Sequence, residues 1–185
     1  MKTILVCVTG AVAAVVMPSY VLQIRKELNV RVFVMLTKNA TKFVTPYALR
    51  LHSGNEVFAD SYDIGNDVLV PHIKLTQEAD VILVMPATAN MIAKAAYGIC
   101  DDLISTAIVS SRSPVVFVPS MNGNMWFSPT VQLNTRKLME YGFYVLEPRS
   151  GTEIEGIGDT YGVMPALSDI ILVVKQILNN PIDKK

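Results

Sequence analysis

The 185-residue sequence has no excess of charge of either sign, because 16 lysines and arginines balance 16 aspartates and glutamates. No run of basic residues stands out, which argues against a nucleic-acid partner. Only two cysteines are present, Cys7 and Cys100, and neither their number nor their spacing suits a disulfide framework or a metal site. We therefore expect two reduced thiols in a cytoplasmic protein that holds no metal.

The sequence also lacks an apolar run long enough to span a membrane, because Thr9 and Gly10 interrupt the longest run and Pro18 follows it. Its first residues imitate a secretory signal, but cleavage there would remove a strand and loop of a kind that the rest of the chain repeats. We expect no membrane association. Low-complexity tracts and composition shifts are absent too, so residues 1–185 are expected to form a single domain.

The sequence does contain a series of short apolar runs that alternate with helical stretches. Most runs are continuously apolar, which is typical of parallel strands buried on both faces. The predicted strands cover residues 3–9, 31–36, 56–59, 80–85, 114–118 and 143–146. The predicted helices cover residues 12–28, 40–51, 90–97, 103–110, 130–141 and 167–178, the first of them kinked or restarted at Pro18. This alternation predicts an α/β fold with three layers, a doubly wound parallel sheet between helices.

Two stretches do not fit the alternation, and both are predicted to be irregular. Residues 60–71 are polar and lead into His72, and residues 147–165 contain four glycines and few apolar side chains. Loops of this length inside a compact domain are usually functional. Histidine carries protons near neutral pH, so His72 is a candidate acid–base residue. His52 follows a predicted helix and has no comparable context, so we interpret it as structural.

The first two strands end in residues that suit either a connection or a ligand contact. Gly10 lets the chain turn tightly before a helix whose first N–H groups are free to bind a phosphate. The G-x-G-x-x-G pattern of dinucleotide sites is missing here. Thr37 and Asn39 follow the second strand and can cap the next helix or bind a phosphate. Both alternatives stay open for these two ends.

The third and fourth strand ends are more specific, and they read PATANM at residues 86–91 and PSMNGNMW at residues 119–126. The small residues of the first motif leave space for a flat ring. In the second motif, Asn122 can bind a carboxylate or an amide, and Met121 and Met125 offer an adaptable apolar wall. Because the carboxyl ends of parallel strands meet at one edge of a sheet, we expect these ends to share one site.

These motifs, together with His72 and the GICDDL segment at residues 98–103, resemble those of the homo-oligomeric flavin-containing cysteine decarboxylases. The corresponding motifs of that family are PASANT, P-x-M-N-x-x-M-W and G-x-C-D-N-L. The resemblance covers nearly the whole chain and implies a flavodoxin- or Rossmann-like flavoprotein fold. It also implies FMN as the cofactor, with FAD as the alternative. The expected assembly is a homo-oligomer, a trimer or a dodecamer, with flavin sites between subunits.

The resemblance further implies a role for each matching residue. His72 matches the catalytic histidine, and Asn122 matches the residue that holds the substrate carboxylate. The implied flavin contacts lie at the strand ends and are Gly10, Ala11, Val12, Thr37, Lys38, Asn39, Thr88, Ala89, Asn90, Met91 and Ser120. The implied substrate contacts are Asn122, Met125, Glu153 and Ile154, the last two in a substrate-clamp loop over about residues 148–165.

The family has two main branches, and the clamp loop distinguishes them. One branch decarboxylates phosphopantothenoylcysteine in coenzyme A synthesis and carries an Ala-Cys-Gly whose cysteine completes a reduction. The other decarboxylates the C-terminal cysteine of lantibiotic precursor peptides such as that of epidermin. This chain reads GTEIEG at residues 151–156, without a cysteine. We therefore predict oxidative decarboxylation of a precursor-peptide C-terminus to an aminoenethiol. The alternatives are the coenzyme A reaction and a non-catalytic flavin-binding regulatory subunit.

Overall fold

The structure is a computed structural model that describes residues 1–59, 71–152 and 158–180. Its central sheet consists of β1 (Thr3–Val8), β2 (Arg31–Leu36), β3 (Val57–Phe58), β4 (Val81–Ala87), β5 (Val115–Pro119) and β6 (Tyr144–Val145). These strands are parallel and lie in the order β3-β2-β1-β4-β5-β6. This is the strand order of a Rossmann fold, so the predicted doubly wound sheet is confirmed.

The two central strands explain why the sequence has continuous apolar runs. Every residue of β1 and β4 is buried. Ile4 of β1 lies opposite Val32 on one side and Val81 on the other, so β1 pairs with a strand along both edges. Helices then cover both faces of such a strand, so each position must be apolar or have a hydrogen-bonding partner.

Helices lie on both faces of the sheet. They are α1 (Met17–Leu28), α2 (Pro46–Ser53), α3 (Pro71–Glu78), α4 (Ala89–Tyr97), α5 (Leu103–Ser110), α6 (Gly123–Trp126), α7 (Pro129–Glu140) and α8 (Leu167–Asn179). Ile24, Leu49 and Val174 of α1, α2 and α8 share one buried core. Leu75 and Ile104 of α3 and α5 share the core on the opposite face. None of the helices in the described ranges has the length and hydrophobicity that crossing a bilayer requires.

Two predicted helices begin differently from the prediction, and proline is the reason in both. Residues 12–28 divide into a 3-10 turn, Val12–Val16, and α1, with Pro18 in the first turn of α1. The prediction that Pro18 restarts this helix is confirmed, because proline lacks an N–H and fits best in a first turn. Residues 40–51 divide likewise, and α2 begins at Pro46 after the Thr45 cap.

The prediction of irregular structure was wrong in part for residues 147–165, whereas residues 60–70 of the other irregular stretch lie outside the described residues. Residues 147–165 contain an antiparallel hairpin of β7 (Arg149–Thr152) and β8 (Asp159–Val163). These strands are rich in glycine and small polar residues, so they lack the alternation of apolar and polar residues that predicts a strand. In the structure β8 packs against α6. Pro71 and the residues after it form α3, which the sequence did not predict, and among residues 73–78 only Leu75 and Thr76 are buried. With so few buried apolar positions, this segment of the sequence shows no clear helical repeat of apolar residues.

Candidate active site

The carboxyl ends of β1, β4 and β5 and the β7–β8 hairpin surround a cleft of about 510 Å³. Small-molecule and cofactor sites usually have volumes of roughly 300–1,000 Å³. The cleft lies beside the point between β1 and β4 where the strand order reverses, which is where ligands bind in open α/β sheets. It is lined by these predicted site residues: Gly10, Ala11, Val12, Thr88, Ala89, Ser120, Asn122 and Met125.

Thr9 holds the ends of β1 and β4 together. Its hydroxyl donates to the carbonyl oxygen of Pro86 at 2.6 Å and accepts the N–H of Thr88 at 3.0 Å. Thr9 is buried, so both hydrogen-bonding roles of this hydroxyl are filled without water. The N–H of Ser120 donates to the carbonyl of Ala87 at 3.0 Å, which joins the end of β5 to β4. The three strand ends therefore form one connected surface.

Gly10 is required by the close approach of the segment that follows β2. A Cβ atom on Gly10 would lie 2.6 Å from the Cβ of Asn39. Thr37 donates its N–H to the last residue of β1 at 3.0 Å, and its hydroxyl accepts the N–H of Ala40 at 3.3 Å. Thr37, Lys38 and Asn39 thus lie next to the cleft, although they do not line it. Their contact with a flavin stays a prediction.

The first turn of α4 lies at the cleft, because Thr88 and Ala89 line it. Thr88 caps the helix, because its hydroxyl accepts the N–H of Met91 at 3.3 Å. The amides of Ala89 and Asn90 have no partner within the helix and are suited to an electronegative ligand atom. The Met91 side chain packs in the core and the Asn90 side chain is exposed, so neither lines the cleft. Of this motif, Thr88 and Ala89 therefore provide the cleft lining.

The carboxamide oxygen of Asn122 is engaged in a hydrogen bond, and its N–H groups have no partner among the described residues. Its oxygen accepts the N–H of Met125 at 2.9 Å, which caps α6. Because the oxygen is held in this way, the same carboxamide keeps its two N–H donors. A carboxylate is the ligand that such donors suit best. Met121 and Met125 line the cleft beside Asn122, as the sequence predicted.

The β7–β8 hairpin is fastened to the loop that carries Asn122. The N–H of Met121 donates to the carbonyl of Gly162 at 3.0 Å. The N–H of Gly123 donates to the hydroxyl of Thr160 at 3.2 Å. These two bonds lie on either side of Asn122, so the hairpin fixes the position of its carboxamide. Neither Thr9 nor Thr160 was predicted as a site residue, because their hydrogen-bonding partners are distant in sequence.

The remaining predicted site residues are not described at the level of side chains. Glu153 and Ile154 lie outside the described residues. His72 lies in the first turn of α3, and only its backbone position is described. Because α3 leads directly into the start of β4, its first turn is at the carboxyl edge of the sheet, the edge that carries the cleft. The roles of His72, Glu153 and Ile154 stay predictions.

Neither cysteine is among the described residues that line the cleft. Cys7 lies in β1, where burial, with a smaller contribution from Asp102, raises the pKa of its thiol. Cys100 is exposed in the turn between α4 and α5. A buried thiol of raised pKa is a poor nucleophile. The cleft therefore offers hydrogen-bond donors and an apolar wall, and its described lining has no thiol.

A comparison with known protein families decides the classification. The sequence profile of the family described as Flavoprotein matches residues 1–179. The chain belongs to the Flavoprotein family. Membership confirms the flavin class of the predicted cofactor. Among curated Flavoprotein-family relatives, the coenzyme A biosynthesis bifunctional protein CoaBC of Borreliella burgdorferi is 37% identical over 150 residues, 81% of this chain and 38% of the relative. This chain thus spans about two fifths of the length of the curated relatives that it matches.

Solved structures share the fold over nearly the whole chain. A cysteine-to-serine mutant of PPC decarboxylase, complexed with pantothenoylaminoethenethiol, is 26% identical with a TM-score of 0.85, covering 96% of this chain and 98% of that one. The FMN-dependent cysteine decarboxylase SpaF is 30% identical with a TM-score of 0.80, covering 95% and 97%. A mutant of EpiD, complexed with the substrate peptide DSYTC, is 25% identical with a TM-score of 0.82, covering 95% and 99%. This Flavoprotein chain therefore has the fold of flavin-dependent decarboxylases.

Proposed function

We propose that this protein is an FMN-dependent decarboxylase that oxidises a C-terminal cysteine of a peptide and releases its carboxylate as CO₂. The observation that carries the proposal is the Asn122 carboxamide, which lies in the same cleft as the strand ends of a flavoprotein fold and whose N–H donors no described residue engages. The likeness to SpaF, an FMN-dependent cysteine decarboxylase, supports the reaction class. The likeness to EpiD, complexed with a substrate peptide, supports a peptide substrate.

The cleft fits a flavin in size and in chemistry. Gly10, Ala11 and Ala89 leave room for a flat ring beside the backbone. The first-turn amides of α4 and the hydroxyl of Ser120 supply donors for the polar edge of such a ring or its chain. When bound, FMN supplies an acceptor for the two electrons that leave the Cα–Cβ–S unit of the substrate cysteine.

The residues of the chain orient the substrate and move its protons. In the proposed reaction His72 takes the proton of the substrate thiol, and the N–H donors of Asn122 hold the carboxylate. Loss of two electrons and two protons converts the thiol into a thioaldehyde, whose C=S group is an electron sink β to the carboxylate. The bond to CO₂ then breaks, and its electron pair forms the enethiolate. Met121 and Met125 provide an apolar wall beside this step.

The absence of a cysteine from the clamp supports an enethiol as the final product. The two cysteines of the sequence are Cys7 and Cys100, and neither is in residues 147–165. In the solved PPC decarboxylase, a mutant that has lost a cysteine is the form complexed with pantothenoylaminoethenethiol. A chain without a thiol in its clamp has no group there to reduce such a product. This supports the peptide branch, whose product is an oxidised aminoenethiol.

A second candidate substrate is phosphopantothenoylcysteine. The observation in its favour is the identity of 37% and 34% to two CoaBC proteins of coenzyme A biosynthesis. Both substrates end in a cysteine carboxylate, so Asn122 and the strand ends would serve either of them. The two candidates differ in the part of the substrate that lies beyond the cysteine.

We also propose that the protein acts as a homo-oligomer, a trimer or a dodecamer. Apolar side chains are exposed, among them Val15 at 51%, which lines the cleft, and Tyr47 at 69% and Leu51 at 62% on α2. Exposed apolar surface of this kind is typical of a subunit interface. Light scattering of the flavin-loaded protein tests this against the chain mass of 20.3 kDa. A monomer that binds FMN tightly would contradict it.

Incubation with the peptide DSYTC and with phosphopantothenoylcysteine tests the proposed function. We expect the peptide to lose about 46 Da, the mass of CO₂ and two hydrogen atoms, in an FMN-dependent reaction. His72→Asn should retain FMN, measured by its absorbance, and lose turnover by about 10²–10⁴-fold. Turnover of phosphopantothenoylcysteine alone would favour the second candidate. An FMN-loaded protein that acts on neither substrate would contradict the proposal.

A further inference from the structure

Arg149 is the one charged residue among the described residues that line the cleft. The rest of that lining is apolar, glycine or uncharged polar, as with Val12, Thr152 and Thr160. A guanidinium stays protonated at every relevant pH. A positive charge in a concave, largely apolar lining focuses its field on the cleft and attracts an anion. The cleft is therefore built to hold a negative charge near the hairpin.

The guanidinium of Arg149 is anchored through one of its N–H groups, and its other donors have no partner in the part of the chain that the structure describes. Its Nε–H donates to the carbonyl oxygen of Met164 at 3.0 Å, and Met164 is buried. None of the ion pairs found among the described residues involves Arg149. One bond therefore holds the side chain at the base of the hairpin, and within residues 1–59, 71–152 and 158–180 no side chain or backbone group pairs with its two Nη groups. Two Nη groups match the geometry of a carboxylate or a phosphate.

The position of Arg149 separates its ligand from the groups already assigned. Asn122 lies at the end of β5 and would hold the carboxylate that leaves as CO₂. The predicted flavin contacts lie at the strand ends. Arg149 instead is the first residue of β7, so it lines the same cleft from the hairpin and not from a strand end of the central sheet. A substrate that runs from Asn122 along the hairpin brings a more distant part of itself to Arg149.

We propose that Arg149 binds a second anionic group of the substrate, remote from the carboxylate that is lost. The inference rests on the proposed function, and it adds that the substrate carries a second negatively charged group. Two kinds of substrate carry such an anionic group. In a peptide it is an acidic side chain that precedes the C-terminal cysteine, and in phosphopantothenoylcysteine it is the phosphate on the pantothenoyl chain. Each presents an oxyanion that accepts two parallel N–H bonds from Arg149.

Binding of ligands that cannot react tests this inference on the FMN-loaded protein. The first pair is DSYTS and NSYTS, in which serine replaces the terminal cysteine and the two peptides differ in one charge. The second pair is phosphopantothenoylserine and pantothenoylserine. By calorimetry, we expect the charged member of one pair to bind about tenfold more tightly. Arg149→Gln should abolish that preference, and Arg149→Lys should retain part of it. Arg136→Gln, which removes an exposed charge on α7, is the matched control.

The outcomes separate this inference from the function on which it rests. A charge preference that Arg149→Gln abolishes supports the inference, and the pair that shows it identifies the source. Equal affinities within both pairs, a preference that survives Arg149→Gln, or no binding of any ligand overturns it. Loss of the preference for FMN over riboflavin in Arg149→Gln also overturns it, because Arg149 would then serve the flavin phosphate. Mass loss from DSYTC in the wild-type protein is measured separately and tests the function alone.

Discussion

The carbonyl oxygen of Met121 occupies the space in which a side chain on Gly162 would have to stand. Gly162 also has a φ of +117°, a backbone conformation that residues with a side chain rarely adopt. The same two residues share the hydrogen bond from the N–H of Met121 to the carbonyl of Gly162. Through this contact the β7–β8 hairpin packs closely against the loop that carries Asn122.

Gly162→Ala should therefore displace the hairpin. We expect a loss of about 1–3 kcal/mol in the free energy of unfolding, from backbone strain and the clash. Peptide affinity should fall, and FMN should stay bound because the strand ends are untouched. Denaturant unfolding and calorimetry measure the two effects. Gly158→Ala is the control, since a Cβ atom there meets no atom within 4 Å. If the two variants had the same free energy of unfolding and the same peptide affinity, the contact at Gly162 would have no role in holding the hairpin.

Thr9→Val should weaken both the fold and the flavin site. Valine has the shape of threonine, but it leaves the carbonyl of Pro86 and the N–H of Thr88 without their buried partner. Each such group costs about 1–3 kcal/mol. The FMN dissociation constant, followed by flavin fluorescence, should rise because Thr88 and Ala89 lose their support. Thr9→Ser keeps the hydroxyl and should stay near wild type. An unchanged FMN affinity in Thr9→Val would contradict this account.

Asn122→Asp separates the capping role of Asn122 from its role toward substrate. Aspartate keeps an oxygen for the N–H of Met125, so the free energy of unfolding should change by less than about 0.5 kcal/mol. The variant replaces the N–H donors by a negative charge, which repels the substrate carboxylate. We expect kcat/KM for DSYTC to fall by at least about tenfold with FMN still bound. If Asn122→Asp turned over the peptide normally, Asn122 would have no contact with its carboxylate.

Asp102→Asn tests a pH-dependent contribution to stability outside the cleft. Burial alone would raise the pKa of Asp102, but its bonds with Lys94 at 2.6 Å and Ser105 hold the pKa below the ordinary 3.8. A lowered folded-state pKa stabilises the fold above about pH 3.8, and this contribution is lost as the pH falls through the folded value.

Asparagine keeps the cap of α5 and removes only the charge of Asp102. We expect Asp102→Asn to lose on the order of 1 kcal/mol at about pH 7. The difference from wild type in urea unfolding should shrink below about pH 3.8. Asp101→Asn is the control, because Asp101 is 59% exposed and its pair with Lys94 is screened by water. A difference that is independent of pH would contradict the assignment.

Much of the fold could be predicted from local patterns. All six strands of the sheet were located from the sequence, most clearly β1, β4 and β5, because a strand buried on both faces needs apolar side chains at nearly every position. The helices predicted over residues 90–97 and 103–110 were confirmed as α4 and α5, which Thr88 and Asp102 cap through their side chains. The hairpin could not be found in this way. Its glycines and small polar residues become strands only because β8 packs against α6.

By itself, the sequence determined the α/β alternation and the residues at each strand end, since both depend on neighbours only a few positions apart. Tertiary structure alone decided which strand ends meet. Thr9 and Pro86 are 77 positions apart and bond because β1 lies beside β4. Gly123 and Thr160 are 37 positions apart and bond because the hairpin folds over the end of β5. The positions of Asn122 and Arg149 in one cleft follow from these contacts, which sheet order and packing impose and local periodicity does not encode.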